Sequence, residues 1–399
     1  MTARRPPTFG VEEEFLLLDP ASGHPVPAAP RLLRLLHGRP GPRAELMRYQ
    51  LETATRVCDN ADQLHAELRR LRQLGSEAAQ RCGCQLVASG TSPYPTPGLA
   101  ALTDDPRYRE LARRYPSLTA GSGICACHVH VGVPSREHGV QVLARFRPWL
   151  PTLLALSANS PLENGHDTGW ASRRYPSLAR WPTAGPPSIW ADAAAYDRAV
   201  GKLIGGGAAL DQRSIYLLAR LSPRYPTVEV RVADVCPDVD TALLLAVLVR
   251  ALVTTAVADT QAGKPMPHPP RATIVAGLDA AARHGPAGPA IDPRNGAFIQ
   301  PWTLVRRLVD HAGPALAASG DAATVAHLLR ALKIRGTGAD RQREAWTRAE
   351  SPAQLVAELA AATWQAPYDT APAGAARALS RQPNHRGSAF LTRRRHTAA

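Results

Sequence analysis

Residues 10–15 read GVEEEF, residues 128–133 read HVHVGV and residues 228–234 read VEVRVAD. Successive side chains of an extended chain point to opposite faces, so each stretch divides into two sets. Glu12 and Glu14 share one face, with Val11, Glu13 and Phe15 on the other. His128 and His130 stand opposite Val129, Val131 and Val133, and Glu229 and Arg231 stand opposite Val228, Val230 and Val232. A strand that merely faces solvent carries a loose mixture of lysine, threonine, serine and glutamine. Here the polar positions hold only glutamate, histidine and arginine. Taken singly, a His-x-His strand is more often a half-buried structural pair and a Glu-x-Glu strand a solvated face. Their joint occurrence with Glu-x-Arg favours one shared sheet. Its polar face would then gather carboxylates that repel one another and raise each other's pKa unless cations intervene. Divalent metal is the natural remedy. Oxygen-rich donors suit magnesium, and histidine adds tolerance of manganese.

Working outward, residues 45–58 (ELMRYQLETATRVC) place Glu45 and Glu52 ahead of an amphipathic helix over residues 60–81, with Leu64, Leu68, Leu71 and Ala78 on one face. Proline- and glycine-rich stretches at 91–98, 181–187 and 264–270 read as ordered loops, none suited to a flexible linker. The run TALLLAVLVRALVTTAVAD (241–259) approaches the length of a membrane span, but Arg250 sits at its middle. It reads as a helix of the protein core, capped by Asp238 or Asp240. A chain of 399 residues that is 45% apolar can bury a large core. The reading is a single catalytic domain over 1–370 and a weakly structured Arg/Ala/Pro-rich tail over 371–399.

The net charge of +14 rests almost wholly on arginine, since Lys202, Lys264 and Lys333 are the only lysines. Such a field attracts nucleic acid, acidic membranes and anionic small molecules alike. Aromatic residues make up only 5% of the chain and the patterned strands present carboxylates, which argues against nucleic acid. The six cysteines show no C-x-x-C spacing and read as buried free thiols. No secretion signal precedes the first strand, so a cytoplasmic location is expected. GKLIGGG (201–207) lacks the Gly-Lys-Ser/Thr ending of a phosphate loop and reads as a helix end or turn.

These features occur together with LETATRVC (51–58), CHVHVG (127–132), ASRR (171–174), RWPTAGPP (180–187), RYPTVEVRVADVC (224–236) and RGTGADRQR (335–343). In this order they resemble the type 2 glutamate-cysteine ligases, a carboxylate-amine ligase branch of the glutamine-synthetase-like superfamily. The resemblance implies an α+β fold with a curved, mainly antiparallel sheet and flanking helices. It implies ATP, with magnesium or manganese between the nucleotide phosphates and the sheet carboxylates. By motif position, Glu14, Glu45 and Glu52 would hold one metal and Glu12, His128 and Glu229 another, with His130 facing the phosphates. Arg231 would stabilise the transferring phosphoryl group, against the alternative of an ion pair with Glu229. Arg173 would hold the acid substrate or a phosphate, against a surface role.

The chemistry so implied is attack of a carboxylate on ATP, giving an acyl phosphate that an amine then captures. Glutamate and cysteine are the expected pair, with another acid or amine as the alternative and a non-catalytic binding protein as a remote one. A membrane partner and nucleic acid are not expected, and a homo-oligomer is left open. One departure bears on the substrate. Many family members carry Trp-Asp shortly before the arginine corresponding to Arg220, where this chain has Leu217 and Leu218.

Overall fold

The computed structural model describes residues 5–364, which fall within one compact unit spanning 1–366. The tail expected over 371–399 lies outside the described residues.

The three patterned stretches all become strands of one sheet. Its members are β1 (Phe9–Leu18), β2 (Pro42–Ala44), β3 (Gln50–Ala54), β4 (Gln85–Val87), β5 (Ala126–Gly132), β6 (Ala219–Leu221) and β7 (Thr227–Asp234). They run in the order β2-β3-β1-β5-β7-β6, with β4 also pairing to β1. Every pairing is antiparallel. Alternation along β1 buries Phe9, Val11, Glu13 and Phe15 and leaves Glu12 and Glu14 half-buried on the other face. The expected architecture, a mainly antiparallel sheet with flanking helices, is the one present.

The apolar face packs on helices. The Ala61–Arg81 helix starts at Asn60, whose side chain accepts from the Gln63 amide, and it buries Leu64, Leu68, Leu71 and Ala78 as its spacing predicted. The Val239–Gln261 helix is capped by Asp238, which accepts from the Thr241 amide at 2.8 Å. Its most apolar window is 78% buried inside the protein. Arg250, at its middle, pairs with Asp321, donates to the Asp59 carbonyl at 3.0 Å and lies 4.1 Å over the Phe9 ring. The helix owes its hydrophobicity to a place in the core, where an enclosed arginine finds its partners.

The loop at 264–270 is held by Arg145, which donates to the Lys264 and Pro265 carbonyls at 2.5 and 3.1 Å. The glycine-rich 201–207 stretch ends the Ala193–Gly205 helix. All six cysteines are free and buried.

Candidate active site

Strand register brings the polar residues together. Glu12 stands opposite His128 and Glu14 opposite Glu52, while His130 stands opposite Glu229. Glu45 joins them from the turn after β2. These residues and Arg231 line one cleft of about 230 Å³. The Pro106–Arg114 helix contributes Arg107 and Tyr108 to its wall, the Gln212–Ser214 turn contributes Arg213, and the tip between β6 and β7 contributes Arg224 and Tyr225.

The tightest group is Glu12, His130 and Glu229, whose nearest ligand atoms lie within 4.8 Å of one another. Glu12 Oε2 is 3.5 Å from His130 Nε2 and 3.9 Å from His128 Nδ1. The converging imidazole of that trio is therefore His130, where the sequence reading placed His128. His128 stands one pleat along, its Nε2 buried without a hydrogen-bond partner and 4.0 Å from Glu14 Oε1.

Electrostatics divides the carboxylates. Burial and the neighbouring Glu45 push Glu14 up to about 8, although its Oε2 accepts from the Ala126 amide at 2.8 Å. Burial, then Glu45, Glu12 and Glu14, drive Glu52 well above the usual range, and burial raises Glu45. For Glu12 burial works upward, but the His130 ring beside it and the Arg43 charge prevail, and the group is held low. Burial also opposes the charge of Glu229. Two guanidiniums overcome it and hold that carboxylate well below the ordinary range. Arg220 grips Glu229 with both arms at 2.8 and 3.1 Å, and Arg231 pairs with it from the same strand. Burial and then Arg231 keep His128 neutral, with a pKa well below its ordinary value.

This donor set suits a hard divalent cation. It consists of carboxylate oxygens and imidazole nitrogens, in three of the carboxylates burial outweighs the nearby guanidiniums, and a buried imidazole nitrogen faces the cluster unpaired. Cations there would relieve repulsion that burial makes costly.

Eight of the nine residues singled out from the sequence thus line the cleft: Glu12, Glu14, Glu45, Glu52, His128, His130, Glu229 and Arg231. Arg173 does not. Its Nε donates to Glu163 Oε2 at 2.9 Å in a partly exposed ion pair away from the cleft. The next residue, Arg174, turns inward and donates to the Val232 and Arg231 carbonyls at 3.3 and 3.2 Å, beneath the cleft floor. Leu217 and Leu218 are not cleft residues either. Leu218 is buried in the core, and Tyr216 takes the place on the wall.

The sequence reading missed Arg107, Tyr108, Arg213, Tyr216 and Arg224. They come from a short helix and from turns, where no period of two marks the face that looks inward. Arg220 was noted there only as a landmark. Its Nη1 donates to the carbonyls of Gln212, Arg213 and Ile215 at 3.2, 3.2 and 2.9 Å, so it couples Glu229 to the cleft wall.

The sequence pattern of the family described as "Glutamate-cysteine ligase family 2(GCS2)" matches residues 8–360. A Salinispora arenicola protein provisionally named glutamate–cysteine ligase 2 is 42% identical over 363 residues, covering 90% of this chain and 96% of its own. A protein of Mycolicibacterium vanbaalenii provisionally named glutamate–cysteine ligase 2-2 is 43% identical, covering 90% of this chain and 98% of its own. Among solved structures, the glutamate–cysteine ligase of Francisella tularensis in complex with AMP superposes with a TM-score of 0.68 at 15% identity, covering 90% of this chain and 88% of that one. The ligase PafA, in its complex with the ubiquitin-like protein Pup, gives 0.51 at 13% identity over 86% of this chain and 69% of that one. At such identities these two likenesses concern the fold, which is glutamine-synthetase-like. With a family pattern running from the first strand nearly to the last helix, the chain belongs to glutamate–cysteine ligase family 2 and is an ATP-dependent ligase that forms carbon–nitrogen bonds.

Proposed function

We propose that the protein joins glutamate to the amino group of an amino acid, cysteine first among them, through an acyl phosphate. The observation that carries this reading is the convergence of Glu12, Glu14, Glu45, Glu52 and Glu229 with His128, His130 and Arg231 in a single cleft. In the first step an oxygen of the glutamate carboxylate forms a bond to the terminal phosphorus of ATP, and the bond from that phosphorus to ADP breaks. In the second the amine nitrogen attacks the acyl carbon, phosphate departs, and the nitrogen gives up a proton.

Magnesium or manganese, held by Glu12, His130 and Glu229 on one side and by Glu14, Glu45 and Glu52 on the other, would supply charge neutralisation to the phosphates. Arg231 keeps its charge in this setting, because the gain from Glu229 outweighs burial. Its fork faces the cleft from the floor, where it can meet the equatorial oxygens of the transferring group. The Glu229 pair, entertained above as the alternative for Arg231, is present as well. It orients the guanidinium. Arg220 and Glu229 together fix the wall that the substrates enter against. An ATP-fed reaction of this kind fits the cytoplasm.

The test is release of phosphate and ADP by the purified protein with glutamate, ATP and magnesium while single amino acids are scanned as amine. Release with cysteine well above the amine-free blank is expected. Release only with another amine would remove cysteine and keep the ligase chemistry. Silence with every amine would remove glutamate as the acid.

A further inference from the structure

Six arginines line the cleft, and four of them are already engaged. Arg220 and Arg231 are on Glu229, and Arg107 forks onto Asp211 at 2.6 and 2.8 Å. Arg43 lies 3.6 Å from Glu12 and 3.8 Å from Glu52. Among the described residues, no carboxylate lies within ion-pairing distance of Arg213 or Arg224. The two stand in different surroundings. Arg224 is on the β6–β7 tip beside Tyr225, whose ring meets His130 edge-on at 6.1 Å. Arg213 comes from the Gln212–Ser214 turn, close enough to Tyr108 and Glu45 for its charge to act on both, in a cleft that Tyr216, Leu46 and Leu111 also line.

The backbone that presents Arg213 is held from several directions. Asp211 accepts from the Ser214 amide at 2.9 Å, and Arg107 reaches the Ser214 hydroxyl at 2.9 Å. Arg220 holds the Arg213 carbonyl itself, and Thr183 donates to the Ser214 carbonyl at 2.6 Å while accepting from the Tyr216 amide at 3.0 Å. Tyr216 is braced in turn by Trp181, their ring centroids 5.0 Å apart. A pinned turn that ends in an exposed, unpaired guanidinium is organised for an anion that arrives with the ligand.

We infer that Arg213, flanked by Tyr108 and Tyr216, receives the α-carboxylate of an amino-acid substrate. The inference rests on the reaction proposed above and names a subsite for it. A polyphosphate fits this end poorly. It would find one uncommitted guanidinium, since Arg107 beside it is taken by Asp211, and the Glu45 carboxylate is close enough to feel the Arg213 charge. A zwitterion with a small side chain matches the same surroundings, its carboxylate on Arg213 and its carbon body against the tyrosines and leucines. Both glutamate and an incoming amino acid carry an α-carboxylate, and the experiment tells which of them Arg213 receives.

Arg213→Met keeps an apolar stem and removes the charge, and Arg213→Lys restores a point charge without the fork. For wild type and both variants, KM is measured for glutamate, for the amine and for ATP. Calorimetric titration is run with glutamate, with cysteine and with their α-carboxamides. The side chain has no partner to lose, so the thermal midpoint should stay put. The expected result is a rise of about tenfold or more in KM for one of the two amino acids in Arg213→Met, ATP moving less than about threefold, and partial recovery in Arg213→Lys. Wild type should disfavour the carboxamide of that same amino acid by a similar factor, and Arg213→Met should not. A rise for glutamate assigns the subsite to the acid, and a rise for the amine assigns it to the acceptor. A change confined to ATP, or no change, overturns the inference even if turnover proceeds. If wild type releases no phosphate with glutamate, the titrations decide alone. Carboxylate-dependent binding lost in Arg213→Met upholds the subsite while the named reaction falls, and absence of amino-acid binding removes both.

Discussion

Glu13 and Arg72 meet on the buried side of β1, the guanidinium taking both carboxylate oxygens at 3.1 and 2.5 Å directly behind the pleat that carries Glu12 and Glu14. The same guanidinium donates to the Cys236 carbonyl at 2.9 Å and to the Thr363 carbonyl at 2.7 Å, in the last described helix, Pro352–Trp364. Both partners are within 1% of complete burial.

Breaking such a pair leaves an uncompensated charge in the core, which costs about 3–5 kcal/mol. Glu13→Gln and Arg72→Met should each lower unfolding free energy in urea by about that amount. The double variant Glu13→Leu/Arg72→Met should recover part of the loss, because neither charge then remains stranded. Additive losses in the double variant would show that the pair does not act as a unit.

The raised carboxylates of the cleft should behave in the opposite way, and Glu229 should not. Glu52 is raised by burial and by its acidic neighbours, so Glu52→Gln should stabilise protein stripped with chelator while abolishing ATP-dependent phosphate release. Glu229→Gln should destabilise by about 3–5 kcal/mol, since it strands Arg220 and Arg231. Urea unfolding in chelator separates the two classes.

Glu14 provides a pH signature. Burial and Glu45 push its pKa in the folded protein up to about 8, against 4.5 for an ordinary glutamate, so between those values the native state holds a proton that the unfolded chain has released. Stability therefore falls as pH rises through that window. The unfolding free energy of wild type minus that of Glu14→Gln, measured in chelator, should decline from pH 5 to pH 8. Millimolar manganese should flatten the decline by favouring the ionised form. A pH-independent difference would contradict the burial of this group.

Arg173→Ala should change little. Its ion pair with Glu163 is partly exposed, and pairs of that kind contribute about 0–1 kcal/mol. Steady-state kinetics within about twofold of wild type are expected, and a large loss would show that Arg173 reaches substrate during turnover.

The alternation of β1, β5 and β7 made the floor of the cleft readable, because a period of two is a property of the chain alone. Register is not local. Nothing in HVHVGV says which imidazole will converge with Glu12 and Glu229, and the sheet selects His130 through the pairing of β5 with β7. ASRR offers two adjacent arginines, and only the helical turn at Arg174–Ala179 decides that Arg174 goes under the floor and Arg173 outward. The family's Trp-Asp pair suggested that positions 217 and 218 face substrate. Leu218 is instead a core residue, and Leu217 is tied through the backbone to Gly185. The walls were illegible for a different reason. The Pro106–Arg114 helix is rich in arginine and reads as a surface helix until Asp211 draws Arg107 across.

The bond from Arg72 to Thr363 joins positions 291 apart, so a strand completed early in translation cannot be sealed from behind until almost the last described residue has left the ribosome. Until then a nascent chain carries a core arginine short of one acceptor, and the strand bearing Glu12 and Glu14 lacks its final brace. Ligase molecules interrupted before that helix should be recognised as unfinished by proteolysis and not accumulate as slow enzymes.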